Sequence, residues 1–554
     1  MFQTLHHRCK KTIFVSILLL FSSQAAAQDW IYTVVPGDNL WKFSEKHLDT
    51  VLRFDQLRKM NNIENPKRMP PGSKIRIPLK WVKSNPVPAT LEAIRGKAQL
   101  FRADGSIEDL GIKDLTGKGP LFQLGDRIKT SEDTTVAIKF ADNTILTLHS
   151  NSQIRFDHLS AHGTTGMVDS RLHLIDGRMD TRVTPAVGPG SRFEIHTPSA
   201  ISAVRGTEYR AAVSEQDTTS SIEVLHGKVA VKGAEKQRLI KAGFGTKVTR
   251  GKQPITPRKL LKAPKLADIP ARIRMIGWTL NWEKLEGATH YRVEVSEQDN
   301  FNTILWQKKT EYAKAGLPDL LDGQYYVRVR GIDKLGLEGI QKITPFIMDT
   351  RPQPPVQLKP TPAQVFRATA PQLQWSDSAE ADRYHLEIAT DENFSQLIVD
   401  EKDLDSTKFD TSEWSETQSY YWRLTSITAD GEFGPVGESR SYEIKPIPDK
   451  VTAEMKTTDD GTLVASWRAG TPGLTYQVQM ADDPGFSEII LDQKVSEPQL
   501  SFEPVLGQVR YLRVRGIETD GYQGPWGAVQ KIEPLPDDTR WWIPVLTVIG
   551  IIAL

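Results

Sequence analysis

Trp282, Trp375 and Trp467 stand 93 and 92 residues apart, and Tyr291, Tyr384 and Tyr476 keep the same intervals, as do Phe301, Phe394 and Phe486. Three anchors moving in step identify three copies of one unit. In each copy the tyrosine opens an alternating segment, Tyr291 to Val295, Tyr384 to Ile388 and Tyr476 to Met480, whose every second side chain faces one way. A later segment repeats as well: Tyr325 to Arg330, Tyr420 to Leu424 and Arg510 to Arg515. The one cysteine, Cys9, is remote from all three copies, so apolar packing and not a disulfide must hold each. About seven short strands around a core tryptophan predict a β-sandwich.

At these residues the stretch resembles the fibronectin type III family, in which an early Trp packs under a Tyr-x-Val-Arg-Val strand. The resemblance implies three sandwiches, over 270–350, 351–446 and 447–536, that space what precedes them or carry a protein or glycan site on one copy. Arg510 stands where the other copies have Tyr325 and Tyr420, which removes the corner tyrosine from the third.

Residues 28–80 form a smaller unit. A strand, Ile31 to Val35, meets the turn Pro36-Gly37-Asp38, and Asn39 or Asp38 can cap a helix from Leu40 or Trp41 to His47. A second helical stretch, Val51 to Met60, is followed by the Pro70-Pro71-Gly72 turn and a strand, Lys74 to Pro78. So short a βααβ unit has a marginal core, and Leu40, Trp41, Phe43, Leu57, Ile75 and Ile77 are expected to supply most of it.

The residues Tyr32-Thr33-Val34, Gly37 to Trp41, Leu57 to Ile63, Asn65-Pro66 and Pro71 to Pro78 resemble the LysM family. Asn39 replaces the usual Thr or Ser and Met60 the usual Leu, and neither change removes a capping acceptor or apolar volume. The resemblance implies recognition of N-acetylglucosamine-containing glycan, that is, peptidoglycan. The groove is expected between the first turn, Gly37, Asp38, Asn39 and Leu40, and the turn after the second helix, Asn62, Ile63, Asn65 and Pro66. Turn backbone there supplies uncharged donors and acceptors for acetamido and hydroxyl groups. The structural alternative is that Gly37 serves only the turn and Leu40 only the core.

Residues 90–250 alternate over many short stretches, among them Val136 to Phe140, Ile145 to Leu148 and Ile154 to Phe156. An echo recurs in which an apolar residue two before Gly is followed by a base: Ile94 to Lys97, Ile175 to Arg178 and Leu225 to Lys228. Such strand-turn units predict a β-roll or solenoid-like stack. Leu124 to Thr130, Phe140 to Thr144, Arg192 to Pro198, Ala203 to Glu208 and Val224 to Val229 resemble the FecR domain of the ferric-citrate regulator family. In that family a segment handling a sigma factor precedes a membrane helix. Here an export-like leader and the small module take that place, which disfavours sigma-factor control and leaves a protein partner or an envelope signal.

The leader reading rests on Arg8, Lys10 and Lys11, then the apolar run Ile13 to Phe21, then Ala25-Ala26-Ala27. Residues 541–554 form a hydrophobic tail opened by Trp541-Trp542, expected to be a short membrane anchor or a packed strand. Seventy Lys and Arg against 69 Asp and Glu give +1, and −2 once 1–27 is removed, so bulk charge does not point to nucleic acid. The basic, proline-bearing segment 251–269 reads as a solvated linker. Six of the eleven histidines lie in 90–250, and the four-residue step from His158 to His162 would suit a metal only on a helix, which the strand pattern opposes. Arg205-Gly206-Thr207 reads as a turn. Without a thiol in the exported part, G-x-S-x-G, H-E-x-x-H or a P-loop, and with no stretch left for a catalytic domain, no enzyme and no cofactor or metal is expected.

The expected fold class is therefore multidomain and mainly β. The expected function is a non-catalytic, exported envelope protein that grips peptidoglycan strands and presents the middle domain to an envelope protein partner as scaffold or sensor. The alternatives are a signalling regulator lacking the sigma-factor segment and, behind it, a peptidoglycan hydrolase.

Overall fold

The computed structural model describes residues 29–115, 119–214, 218–459, 462–503 and 507–534. The leader 1–27 with Cys9 and the tail 541–554 lie outside the described residues. The chain divides into two compact units, one ending at Thr350 and one beginning at Arg351.

The first module has the expected order. Its strand β1 (Asp29–Thr33) pairs antiparallel with β2 (Lys74–Pro78), and helices α1 (Leu40–His47) and α2 (Phe54–Met60) pack on one side. The second helical stretch is split, because Val51–Arg53 is a 3-10 turn capped by Thr50 before α2 begins. Leu40, Phe43, Leu57, Ile75 and Ile77 are buried together with Val34, Leu48 and Met69. Trp41 departs from expectation: it is 55% exposed, its ring edge-on to Phe54 at 5.7 Å. With Leu40 and Phe43 inward, the next position on an eight-residue helix faces out. The aromatic part of the core is instead Trp30, Tyr32 and Phe43 around His47.

Residues 85–260 form a closed barrel in which hairpin pairings alternate with longer-range ones, such as Ala89–Arg95 with Thr135–Lys139 and Val168–Arg182 with Glu208–Ser214. One pairing is parallel, Asp169 to His173 against Arg192 to His196. The Gly echo marks where the chain turns from one face of the barrel to another. Gly96 separates Ala89–Arg95 from Ala98–Phe101, Gly177 lies within the fifteen-residue strand Val168–Arg182, and Gly227 separates Thr219–His226 from Lys228–Gly233. All three have positive φ, +82, +84 and +77. A Cβ on Gly177 would fall 2.1 Å from Ser152 Oγ, and one on Gly96 would fall 2.4 Å from Thr134 Oγ1. Glycine is needed there for both conformation and space.

The basic connector is anchored through its apolar residues while its bases stay exposed. Arg258–Lys259 pairs with Phe244 and Gly245, Leu260 is buried, Leu261 O accepts from Ile340 N at 2.9 Å, and Leu266 bridges to Trp282. Its apolar residues decide its course, and its bases merely face outward.

The first sandwich has a five-stranded sheet centred on Gly323–Asp333 and Ala288–Ser296, and a two-stranded sheet of Thr279–Asn281 with Lys314–Gly316. The second unit holds the other two sandwiches, each with a three-stranded sheet facing a larger one. The repeated anchors do the same work in every copy. Trp282, Trp375 and Trp467 meet Tyr291, Tyr384 and Tyr476 edge-on at 5.2, 5.9 and 5.3 Å. Each tyrosine hydroxyl accepts from the N–H six residues earlier, of Leu285, Ser378 and Gly470. Phe301, Phe394 and Phe486 have positive φ, and each lies under an arginine, Arg328, Arg423 or Arg513. Tyr325 and Tyr420 donate to the carbonyls four residues back, Leu321 and Glu416, whereas Arg510 faces Asp482 at 3.4 Å.

The first sandwich does not stand free of the barrel. Ile304 N donates to Thr135 Oγ1 at 3.1 Å and Gln307 Nε2 to Ser150 Oγ at 3.0 Å. Between them lies a buried charge cluster, with Asp180, Glu223, Arg178 and Arg210 from the barrel and Glu294, Glu338, Arg292, Arg328 and Arg330 from the sandwich.

Candidate functional site

The first module brings the two expected loops together. Leu40 N donates to Pro66 O at 2.8 Å, which ties the start of α1 to the loop after α2. The Pro-Pro-Gly turn adds Val34 N to Ser73 O at 2.9 Å and Gly72 N to Val34 O at 2.8 Å. Gly37 (φ +91) and Asn62 (φ +52) supply the left-handed turns that let both loops bend back.

Within this shelf the side chains have distinct duties. Asn39 Oδ1 accepts from Lys42 N at 2.8 Å, so Asn39, not Asp38, is the helix cap. Asp38 Oδ2 accepts from Tyr32 Oη and from Val35 N, both at 2.8 Å, and fixes the turn to the strand. Burial raises the Tyr32 hydroxyl, and its bond to Asp38 and that carboxylate's charge raise it further, to about 12. Leu40 is 0% exposed and its N–H is taken by Pro66 O, so it ties the loops together from below and presents no surface of its own. Asn65 Oδ1 accepts from Lys67 N at 3.1 Å, Ile63 and Pro66 are half-buried, and Gly37, Asn62 and Asn65 are exposed.

Asn61, which sequence reading passed over, is the pin of the second loop. Its Nδ2 donates to Leu57 O at 3.0 Å and Arg76 O at 2.8 Å, while its Oδ1 accepts from Arg76 N at 2.6 Å. Only the fold brings Arg76 to it, so no local signal marks it. The two loops thus form one ledge of turn backbone in which the side chains of Asp38, Asn39, Asn61 and Asn65 are engaged internally. Residues 32–78 match the family described as LysM domain.

The chain carries a LysM domain. Residues 126–230 match the family described as FecR protein, so the barrel carries a FecR domain. Both are non-catalytic binding or signalling domains and associate the chain with the cell envelope. LysM implies binding of a glycan such as peptidoglycan, and the FecR-type domain implies an envelope-related partner. A Deinococcus radiodurans protein described as uncharacterized is 42% identical over 50 residues, 9% of this chain and 20% of that protein. The chain thus spans about a fifth of that relative. A crystal structure of a candidate anti-sigma factor from Parabacteroides distasonis is 17% identical with a TM-score of 0.21, covering 24% of this chain and 59% of that one. The FN1-FN3 domains of chicken CNTN1 are 14% identical with a TM-score of 0.21, covering 50% of this chain and 98% of that one.

In the FecR domain, His158 lies on the strand Gln153–Ala161 and bonds Ser160 Oγ at 3.0 Å, while His162 follows that strand. The four-residue spacing is therefore not on a helix. His149 is fully buried with Nε2 3.0 Å from Asp180 Oδ1, and burial outweighs that carboxylate to lower its pKa. Arg205 to Thr207 is a turn in which Gly206 has φ +71 and Thr207 Oγ1 donates to Lys228 O. Arg205 also lines a cleft of about 290 Å³ with Asp142, Asn143, Val187 and Arg192. No described helix is long and apolar enough to cross a membrane.

Proposed function

We propose that this is a non-catalytic, exported envelope protein that holds the N-acetylglucosamine strands of peptidoglycan through its LysM domain and presents its FecR domain to an envelope protein partner, as scaffold or sensor. The observation that carries the reading is the Leu40 to Pro66 hydrogen bond. It makes one ledge of the two loops whose residues are the proposed contacts, Gly37, Asp38, Asn39, Asn62, Ile63, Asn65 and Pro66, over the buried Leu40. Because Asp38 and Asn39 are bonded internally, glycan is contacted mainly by backbone of the first loop and by exposed groups of the second. The docked first sandwich supports the scaffold reading, since it extends the surface that the FecR domain offers. The leader 1–27 would direct export and the tail 541–554 would add a membrane contact.

The test is sedimentation of the full chain with purified sacculi, alongside binding of chitin oligomers. Asn65→Trp places a bulky ring on an exposed loop position and should weaken both at least tenfold, with only the small loss of stability that goes with the Lys67 N to Asn65 Oδ1 bond. Unchanged binding in that variant would remove the groove from this ledge, and failure of the parent chain to bind either would end the reading. Release of soluble muropeptides would instead make it a hydrolase.

A further inference from the structure

The three sandwiches carry the same face with different charges. In the first, Arg328 and Arg330 extend from one strand and are met by Glu294 and Glu338 of their own domain. Arg328 also reaches Asp180 of the FecR domain, Nη2 to Oδ2 at 3.3 Å. Arg328 is therefore the point at which a neighbouring domain brings a carboxylate to the sandwich. In the second copy the positions of Arg328 and Glu294 are held by Arg423 and Glu387, which form a two-bond pair at 2.7 and 2.8 Å. The position of Arg330 is held there by Thr425, so that face neutralises itself.

The third copy keeps both arginines, Arg513 and Arg515, and loses both carboxylates. Gln479 stands where the first copy has Glu294, and Gln523, bridged to Ile517 as Glu338 is to Ile332, stands where it has Glu338. Arg513 Nε and Nη2 donate to Gln479 Oε1 at 3.0 and 2.6 Å, and Arg515 Nε and Nη2 to Gln477 Oε1 at 2.8 and 2.6 Å. Asp492 is held one step away, accepting from Gln477 Nε2 and Gln479 Nε2. Among the described residues no carboxylate forms an ion pair with either guanidinium. Trp526 lies against both, 4.3 Å from Arg513 and 4.2 Å from Arg515, where the first copy has Gln341. Two like charges are thus held side by side, half-buried and stacked on an aromatic ring, with the charge of Asp492 reaching them from beyond the two glutamines, an arrangement that favours a bidentate anionic partner on the open side.

We propose that Arg513, Arg515 and Trp526 form a docking face for a partner protein that presents surface carboxylates. The occupant is argued from the first copy, where Arg328, the equivalent of Arg513, takes Asp180 from an adjoining β domain. The second copy, lacking the second arginine and supplying its own glutamate, is the internal control. This face stands apart from the glycan reading, whose failure would leave it untouched.

The probe is a fluorescein-labelled hexaglutamate peptide, titrated against the full chain by fluorescence anisotropy at low salt, with a heparin oligosaccharide and a single-stranded DNA oligonucleotide as competitors. Arg513→Gln with Arg515→Gln should weaken the peptide at least tenfold. Gln523→Glu, an exposed change that restores the first copy's acid and keeps both arginines, should also weaken it severalfold, whereas Arg423→Gln should leave it unchanged. Absence of peptide binding, or equal binding by the parent, the double variant and Gln523→Glu, would overturn the proposal. So would tighter binding of heparin or DNA than of peptide through the same two arginines, since the face would then serve polyanions and not a carboxylate surface.

Discussion

Replacing Glu294 by Gln tests how the first sandwich is held. Glu294 is 0% exposed and accepts from Arg328 Nε at 2.8 Å and Arg330 Nη2 at 3.1 Å. Burial alone would raise its carboxyl, but Arg328 and Arg330 overcome that and hold it down to about 2. At ~3 Å and an effective dielectric constant of ~20, each pair is worth about 5 kcal/mol gross. Desolvation offsets much of this, but removing one partner leaves buried arginines uncompensated, at a cost of about 3–5 kcal/mol. Shape is not the obstacle, because Gln479 occupies the same position in the third copy and bonds its arginine. The assay is amide exchange of Ala288–Ser296 in the full chain, read by mass spectrometry. A loss of about 3 kcal/mol corresponds to roughly a 150-fold rise in exchange rate in the local-equilibrium regime. Glu387→Gln serves as comparison, since Arg423 is 29% exposed and its pair should contribute about 1 kcal/mol or less. If the two variants lose the same stability, the reasoning about buried compensation is wrong.

Three further outcomes are expected. Gly177→Ala, with φ +84 and a Cβ in Ser152, should prevent the barrel from reaching its native melting temperature, whereas Gly163→Ala, with nothing within 4 Å, should cost about 1 kcal/mol by calorimetry. Asn39→Ala should destabilise the LysM domain by about 1 kcal/mol through loss of the cap, with Asn39→Asp near neutral, as read by exchange of the α1 amides. His47 is held below its ordinary 6.5 by burial and by Lys46, with Asp38 opposing. The unfolded chain then takes up the proton first, so LysM stability should be full above pH 6.5 and fall as pH drops below it, and His47→Phe should flatten that dependence in a pH series of exchange at Lys74–Pro78.

The parts read correctly from sequence were those whose signal is local or repeated. The 93 and 92 residue intervals required three sandwiches because each anchor keeps one neighbour: a Trp edge, a turn N–H or an arginine. The βααβ order and the Asn39 cap followed from turn and cap chemistry within a few residues. Trp41 was misplaced because an eight-residue helix shows barely two turns of periodicity, too few to tell the inner face from the outer. The anchoring of the connector was not legible, because charge per residue says nothing of where Leu260 and Leu261 find cover.

By itself the sequence determined the number and kind of domains, the positions of their core anchors and the two loops of the proposed ledge, since periodicity, turn residues and spacing are properties of the chain before it folds. Tertiary structure alone decided that Asp38 and Asn39 are engaged internally, that Asn61 pins the second loop to Arg76, and that the first sandwich shares a buried charge cluster with the FecR domain. Those outcomes depend on which groups meet across large sequence separations, Arg328 with Asp180 and Asn61 with Arg76, and on how much water is excluded where they meet.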